Sequence, residues 1–277
     1  MEYQQTIRYP VCITGVGLQS GDPSTLKISP ADTNTGISFF PASGKRFQPI
    51  YSGSANITRC DLSTDISNEY DTVSTIEHLL SALHALRIDN VNITLSGGNE
   101  IPILDGSARP FYHLLVSGCL NIQDKPRRYT QVTKPVIIKE KNKWIRIDPC
   151  DDLIIDCTIK FDHPAIGEQN IVWKMHEDDY YWDVSMARTF GFKENLIKLK
   201  KMGYLKGGDD QTAIILGKKK VVNGALRCKE EFVRHKLLDL IGDIYVSGPI
   251  KGRITSYCSG HALNNKLMRK INEQTSR

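Results

Sequence analysis

His235 and Asp239 stand four residues apart in Phe232-Val233-Arg234-His235-Lys236-Leu237-Leu238-Asp239. On a helix, side chains at i and i+4 are neighbours, so an imidazole nitrogen and a carboxylate oxygen could converge on one point. Zinc takes that donor set, and a catalytic zinc keeps three protein ligands with a fourth position open to water. His78 is the candidate third ligand, because Glu77 beside it could take a proton from the activated water. These four residues together would form a metallohydrolase centre. A different reading of Glu77 stays open here: Ser74-x-x-Glu77 also fits a capping box, in which the glutamate closes a helix N-terminus.

The remaining histidines are His84, His113, His163, His176 and His261. Gly260 before His261 lets the backbone turn and present the ring, or serves a turn alone. Neither a G-x-S-x-G elbow nor a G-x-x-x-x-G-K-[ST] phosphate loop occurs. Gly15-Val16-Gly17-Leu18-Gln19-Ser20-Gly21 misses the dinucleotide spacing by one residue and reads as a tight turn between strands.

Such a centre needs helices with two useful faces. Over residues 74–87, Ile76, Leu79, Leu80 and Leu83 form one apolar stripe, with His78 opposite, beside the small Ser81, Ala82 and Ala85. Over residues 230–245 the stripe is Val233, Leu237, Leu240, Ile241 and Ile244. His235 and Asp239 lie on its other side, with Asp243 one turn further. Each helix thus carries its histidine away from the main stripe, and the small residues would let another element pack close. Helical patterns also cover 193–202 and 263–273. Strand patterns occur at 136–138, 144–147 and 153–161, and in the last of these Leu153, Ile155, Cys157, Ile159 and Phe161 alternate with polar residues. The first half reads as short strands, one helix and another strand. The polar stretch Gln123-Asp124-Lys125-Pro126-Arg127-Arg128 marks a boundary between domains at 1–124 and 125–277. Strands followed by helices, twice over, predict an α+β fold.

Of 277 residues, 36 are Lys or Arg and 31 are Asp or Glu, while 40% are apolar, which excludes disordered and fibrous classes. No apolar run approaches the ~18 residues of a membrane span, and the N-terminus lacks a signal-peptide profile, so a soluble protein without stable membrane insertion is expected. Seven scattered cysteines without a C-x-x-C pair read as reduced thiols in the cytoplasm. Basic clusters at 125–128, 198–206 and 218–220 carry no interleaved aromatics and read as solvated faces, so no nucleic-acid partner is expected.

Five stretches taken together, and in order, resemble the signature blocks of the UDP-3-O-acyl-N-acetylglucosamine deacetylase family. They are Ser74-Thr75-Ile76-Glu77-His78-Leu79, Ile101-Pro102-Ile103-Leu104-Asp105-Gly106-Ser107-Ala108, Ala187-Arg188-Thr189-Phe190-Gly191-Phe192, the block from Phe232 to Asp239 above, and Ser259-Gly260-His261-Ala262-Leu263-Asn264-Asn265-Lys266. These are the zinc enzymes of lipid A biosynthesis in Gram-negative bacteria, and the likeness runs from Gly15 almost to the C-terminus.

The resemblance implies a cytoplasmic amidase, mostly monomeric in the family, that removes the N-acetyl group of UDP-3-O-acyl-N-acetylglucosamine and releases acetate. It implies two similar two-layer α/β sandwich domains with helices packed together between outer sheets. His78 from one domain would then meet His235 and Asp239 from the other around Zn2+, a set that would also accept Fe2+. By carry-over, Glu77 is the general base. His261 is the protonated residue that stabilises the oxyanion and protonates the departing nitrogen, and Asp243 holds its ring. Thr189 matches a hydroxyl that helps hold the carbonyl oxygen, and Lys236 matches a nearby cation in the site. Lys143 and Phe161 match positions around the nucleotide, although Phe161 reads equally well as a fifth apolar residue on its strand. An insert at about 190–215 corresponds to the acyl-chain passage, where Phe190 and Phe192 could line a tunnel or pack a helix.

Two positions depart from the family pattern. Gln19 stands where histidine is usual and touches no carried-over ligand. Cys258 stands where Lys or Arg is frequent, which would weaken diphosphate binding unless Arg253 or Lys251 compensates. Two other functions fit less of the pattern: a related metalloamidase acting on another acylated amino sugar, and a basic nucleic-acid-binding protein whose histidines are structural.

Overall fold

In the computed structural model, which describes residues 2–42, 48–175 and 180–275, the alternating run becomes the strand Leu153–Lys160. It buries Leu153, Ile155, Cys157 and Ile159 and leaves the residues between them partly open. Its sheet runs in the spatial order Val136–Glu140, Lys143–Asp148, Ile250–Tyr257, Leu153–Lys160, Glu168–Lys174. Along this path the pair Ile250–Tyr257 with Leu153–Lys160 is parallel and the other neighbours are antiparallel, while a sixth strand, Thr130–Gln131, lies off it and pairs in parallel with Ile250–Tyr257. A second sheet, from the first half, runs Val11–Val16, Pro23–Pro30, Val91–Ser96, Ile37–Phe40, Ile50–Tyr51. Here too one pair is parallel, Val91–Ser96 with Ile37–Phe40. Numbered by sequence along these five-strand paths, both sheets have the order 1-2-5-3-4, with strands 5 and 3 parallel.

The helices repeat as well. In the first half, α1 (Glu77–Ala85) precedes the fifth strand and α2 (Arg109–Ser117) follows it. After α3 (Lys193–Lys201), α4 (Glu231–Tyr245) and α5 (His261–Thr275) flank the fifth strand of the other sheet in the same way. The expected α+β class holds. The sequence reading lacked α2, a short helix that buries only Phe111 and Leu115. Its punctuation was present, with Pro110 in the first turn and Gly118 as the C-cap.

The helix expected over 74–87 is shorter at both ends, because Thr75 and Arg87 have φ of 61° and 55° and leave the helical region. Every residue of α1 is buried, as two covered faces require. Leu79, Leu80 and Leu83 are fully buried, as are Leu237 and Leu240 on α4, and each contributes roughly 2 kcal/mol. The two helices meet almost backbone to backbone: a Cβ built on Gly242 of α4 would lie 2.0 Å from the carbonyl oxygen of Glu77. At the far ends of the pair, His84 stacks on Tyr245 with ring centroids 4.3 Å apart. The Tyr245 hydroxyl donates to the Ile88 carbonyl at 2.7 Å. His84 is therefore a core residue. Among the described residues no helix is long and apolar enough to cross a membrane.

Replacing Gly242 with alanine forces α1 and α4 apart. Denaturant unfolding should register a loss of about 3 kcal/mol, against a change within about 0.5 kcal/mol for Gly53→Ala, where an added Cβ meets nothing within 4 Å. Equal stability of the two variants would refute the contact.

Candidate active site

The approach of α1 to α4 brings His78, His235 and Asp239 together, each buried and each offering an atom within 4.8 Å of the others. His78 Nε2 and His235 Nε2 lie 3.5 and 3.3 Å from Asp239 Oδ1. His235 Nδ1 sits 3.1 Å from the Ala187 carbonyl oxygen and donates its hydrogen there, which leaves the Nε2 lone pair facing the cluster. Burial pushes His235 down to about 3 despite the opposing charge of Asp239, so the ring is neutral, as a metal ligand must be. Burial alone would raise Asp239, but His235 and Lys236 hold it well below the usual carboxylate range. Its Oδ2 accepts a 2.7 Å hydrogen bond from Lys236 Nζ, whereas Oδ1, buried between the two imidazoles, has no hydrogen-bond partner. An unsatisfied buried carboxylate oxygen is costly, and a cation bound by two nitrogens and this oxygen would satisfy it. The donor set fits zinc or ferrous iron.

Glu77 opens α1 and does not cap it. The N-cap is Ile76, no side chain closes the helix end, and Glu77 Oε2 instead accepts the Thr64 amide at 3.0 Å. The capping-box reading fails because the left-handed turn at Thr75 separates Ser74 from the helix. Only 3% exposed, the Glu77 carboxyl is pushed up to about 7 by burial, against the opposing pull of His261 and His78. That is a range suited to proton transfer near neutral pH.

His261, expected at a turn, is the first residue of α5. Its Nδ1 lies 2.9 Å from Asp243 Oδ2 and donates to it. Burial would lower the ring, but Asp243, Asp239 and Glu77 together push it up to about 10, so it is cationic at neutral pH. Its Nε2 is 3.9 Å from Asp239 Oδ2. Asp243 is held in turn: Thr64 Oγ1 donates to Oδ1 at 2.6 Å and Asn264 Nδ2 to Oδ2 at 2.8 Å, while Asn265 Nδ2 donates to Thr64 Oγ1 at 3.0 Å. Sequence reasoning missed Thr64, Asn264 and Asn265. The asparagines follow His261 at helical spacing, a usable signal. Thr64 is 179 residues from Asp243, and no local pattern could connect the two.

A cavity of about 370 Å³ adjoins the cluster. Thr189 and Lys236 line it beside Phe161, Phe190 and Phe192. Phe161 lies 5.7 and 5.9 Å from the other two rings, and Phe190 lies 6.2 Å from the His235 ring. Phe161 follows its strand directly, packs against the core and lines the cavity. The Ala187-Arg188-Thr189 segment is fixed by a buried ion pair, Arg188 Nε to Glu231 Oε1 at 2.9 Å. Thr189 N donates to the Gly106 carbonyl at 2.9 Å. Gly106 is required there, since a Cβ would fall 1.8 Å from Thr212 O, which explains the glycine of the second sequence block.

Lys143 is brought to a different place. It opens a strand whose next residue, Trp144, pairs with Tyr257, so it stands at the sheet end near Cys258 and outside the cavity lining. Of the two cations considered as substitutes at Cys258, Arg253 faces Asp156 at 3.9 Å and Lys251 lies over the Tyr129 ring, the latter about 23 Å of strand away. Gln19 does line the cavity, with its Oε1 buried and unpaired, so this departure bears on the pocket after all. His163 bonds the Gly217 carbonyl at 2.9 Å and stands outside the cluster. His113 contacts the Tyr181 hydroxyl, and His176 lies outside the described residues.

Residues 4–273 match the family model of UDP-3-O-acyl N-acetylglycosamine deacetylase. A protein of that name from Bdellovibrio bacteriovorus is 41% identical over 273 residues, covering 98% of this chain and 90% of its own. Relatives named alike from Oleidesulfovibrio alaskensis and Histophilus somni are 39% and 40% identical, with 98% of this chain and 89% and 90% of theirs aligned.

Thr64→Val removes the hydroxyl bond to Asp243 but keeps the amide bond to Glu77, and Thr64→Ser restores it. For the valine variant we expect bound metal unchanged and the turnover of any reaction run at this site lowered roughly tenfold, about 1.4 kcal/mol. Full turnover in Thr64→Val would remove this strap from the site.

Proposed function

The chain belongs to the UDP-3-O-acyl N-acetylglycosamine deacetylase family, and from that premise we propose that it hydrolyses the N-acetyl group of UDP-3-O-acyl-N-acetylglucosamine. The products are UDP-3-O-acyl-glucosamine and acetate, in lipid A biosynthesis. The observation that supports this most is contiguity: a two-histidine, one-aspartate cluster with an unpaired buried Asp239 oxygen lies beside a cavity walled by aromatics, whose lining residues Lys236 and Phe190 touch Asp239 and His235.

His78, His235 and Asp239 would hold Zn2+, for which Fe2+ is the chemical substitute. When bound, that ion supplies a Lewis acid for the carbonyl and makes water acidic enough to react near neutral pH. Glu77, with one oxygen on the Thr64 amide, takes the proton as water attacks the acetamide carbonyl carbon. The Thr189 hydroxyl and the Lys236 ammonium donate to the oxygen on which negative charge develops, a type of contact worth about 3 kcal/mol. His261, kept cationic and oriented by Asp243, contributes positive charge and passes a proton to the departing nitrogen. The C–N bond breaks, acetate leaves, and the amine remains on the sugar. Phe161, Phe190 and Phe192 offer apolar surface to the nucleotide and acyl portions, and Lys143 a cation from the neighbouring sheet end.

The repeated 1-2-5-3-4 strand order supports reading the chain as two similar sandwich domains, 1–124 and 125–277, with their helices inside and the reacting centre between them. Strand Leu120–Pro126, which spans that boundary, pairs with Tyr3–Ile7 of the first unit. The reading includes action in the cytoplasm as a monomer on a small-molecule substrate.

Two variants and one assay test it. Purified protein should contain about one metal per chain and release acetate from the UDP-linked substrate, with release lost on chelation and regained with zinc. His235→Ala should lose metal and release together, while Glu77→Ala should keep metal and lose at least about a hundredfold in turnover. Release at equal rate from the same acylated sugar without UDP would transfer the activity to another amino-sugar substrate. Metal without release from either would reject the deacetylase reading.

A further inference from the structure

Residues 193–220 contain eight lysines and three carboxylates, so this stretch carries a net charge equal to the +5 of the whole chain, and the remainder is balanced. All eight lysines are exposed. Lys200 Nζ donates to the Gly208 carbonyl, and among the described residues none of the eight stands in an ion pair with Asp or Glu. The concentration of charge has a definite place in the fold. Phe190–Phe192 and Ile214–Leu216 pair in parallel, so the chain leaves both strands at one end, into Lys193 on one side and Lys218-Lys219-Lys220 on the other. Between them α3 forms one wall of the aromatic cavity.

The faces of α3 divide cleanly. Leu196 and Leu199 line the cavity, with Asn195 and Lys200 beside them. At about 100° per residue, Lys193, Ile197, Lys201, Glu194, Lys198 and Met202 occupy the opposite half. On that outer half Ile197 is 47% and Met202 70% exposed, and no residue of the helix is buried. A short helix with uncompensated lysines and two large apolar side chains on its open face has the chemistry of a surface that rests on an anionic bilayer: lysines meet headgroup charge and the apolar side chains enter the acyl boundary.

We propose that the 193–220 excursion docks reversibly on a membrane surface rich in anionic phospholipid, with Ile197 and Met202 as the entering side chains. The occupant is a bilayer because charge complementarity and exposed aliphatic groups coincide on one face. A polyanion such as nucleic acid would use the lysines and leave the aliphatics in water. Docking would lay the outer wall of the aromatic cavity against the bilayer, giving an acylated substrate a short path between lipid and pocket. That last step rests on the deacetylase reading, whereas the docking itself rests on charge and exposure alone.

The test uses metal-loaded full-length protein and no substrate, so its failure is separate from any failure of acetate release. Vesicles of phosphatidylcholine alone are compared with vesicles containing about one-third phosphatidylglycerol, by sedimentation at low salt. Anionic vesicles should retain at least about tenfold more protein, and raising the salt toward 0.5 M, roughly where the screening length falls to about 4 Å, should release it. The double variant Lys198→Glu, Lys201→Glu should lose about fivefold or more of the bound fraction, and Ile197→Ala with Met202→Ala about threefold. Both pairs are on the surface, and a thermal unfolding midpoint within about 2 °C verifies folding. Equal retention on neutral vesicles, retention indifferent to salt, or full binding by the charge-reversed variant would overturn the proposal. Displacement by a single-stranded oligonucleotide, with no loss of binding in the Ile197 and Met202 variant, would reassign the surface to nucleic acid.

Discussion

The near contact of two helix backbones governs this molecule. Gly242 on α4 lies against the Glu77 carbonyl on α1, closer than any side chain would permit, and each helix is buried over almost its whole length. The apolar stripes of both helices are buried, and the polar residues lie on the surfaces that the helices present to each other. These are His78 on one helix and His235, Asp239 and Asp243 on the other. Buried ionisable groups are tolerated only when each is paired or shifted in pKa, and the pairing here fails at one oxygen of Asp239. The unfinished valence lies where a cation would complete it.

Around that point the polar groups form a network whose members come from distant parts of the chain. Thr64 touches both the Glu77 carboxylate and the Asp243 carboxylate, through its amide and its hydroxyl. Asn264 and Asn265 close the same network from α5. The carboxyl raised by burial and the imidazole raised by its carboxylate neighbours are thereby held by shared partners, so that an unprotonated base and a protonated acid can coexist at one pH. The buried Arg188–Glu231 pair and the Gly106 contact with Thr212 do the equivalent task for the cavity wall, fixing Thr189 and the aromatic strand beside the cluster.

Much of this was legible in the residues themselves. Period-2 alternation located the strand at 153–160, and the displacement of His78, His235 and Asp239 from their apolar stripes indicated helices with a second buried face. Glu77 was ambiguous, because a capping box and a catalytic carboxylate share a spelling. The left-handed turn at Thr75, a backbone property with no residue signature, decided it. The helix α2 escaped notice because its punctuation was dispersed among loop residues and its buried face is small. Lys251 and Arg253 seemed near Cys258 in sequence, yet an extended strand carries neighbours steadily apart, and Lys251 ended far from it.

The sequence by itself determined which segments are helices or strands and which chemical groups they carry, because those properties depend on side-chain type and on spacing within a few residues. It also carried, as five ordered blocks, the likeness to the deacetylase family. Only the tertiary structure decided that Thr64 bridges two carboxylates, that Asp239 keeps an oxygen unpaired, and that α3 turns Leu196 and Leu199 to the cavity while Lys198, Lys201, Ile197 and Met202 stay outside. Each of these depends on which surfaces meet once the sheets and helices have packed, a matter of long-range geometry on which local periodicity is silent.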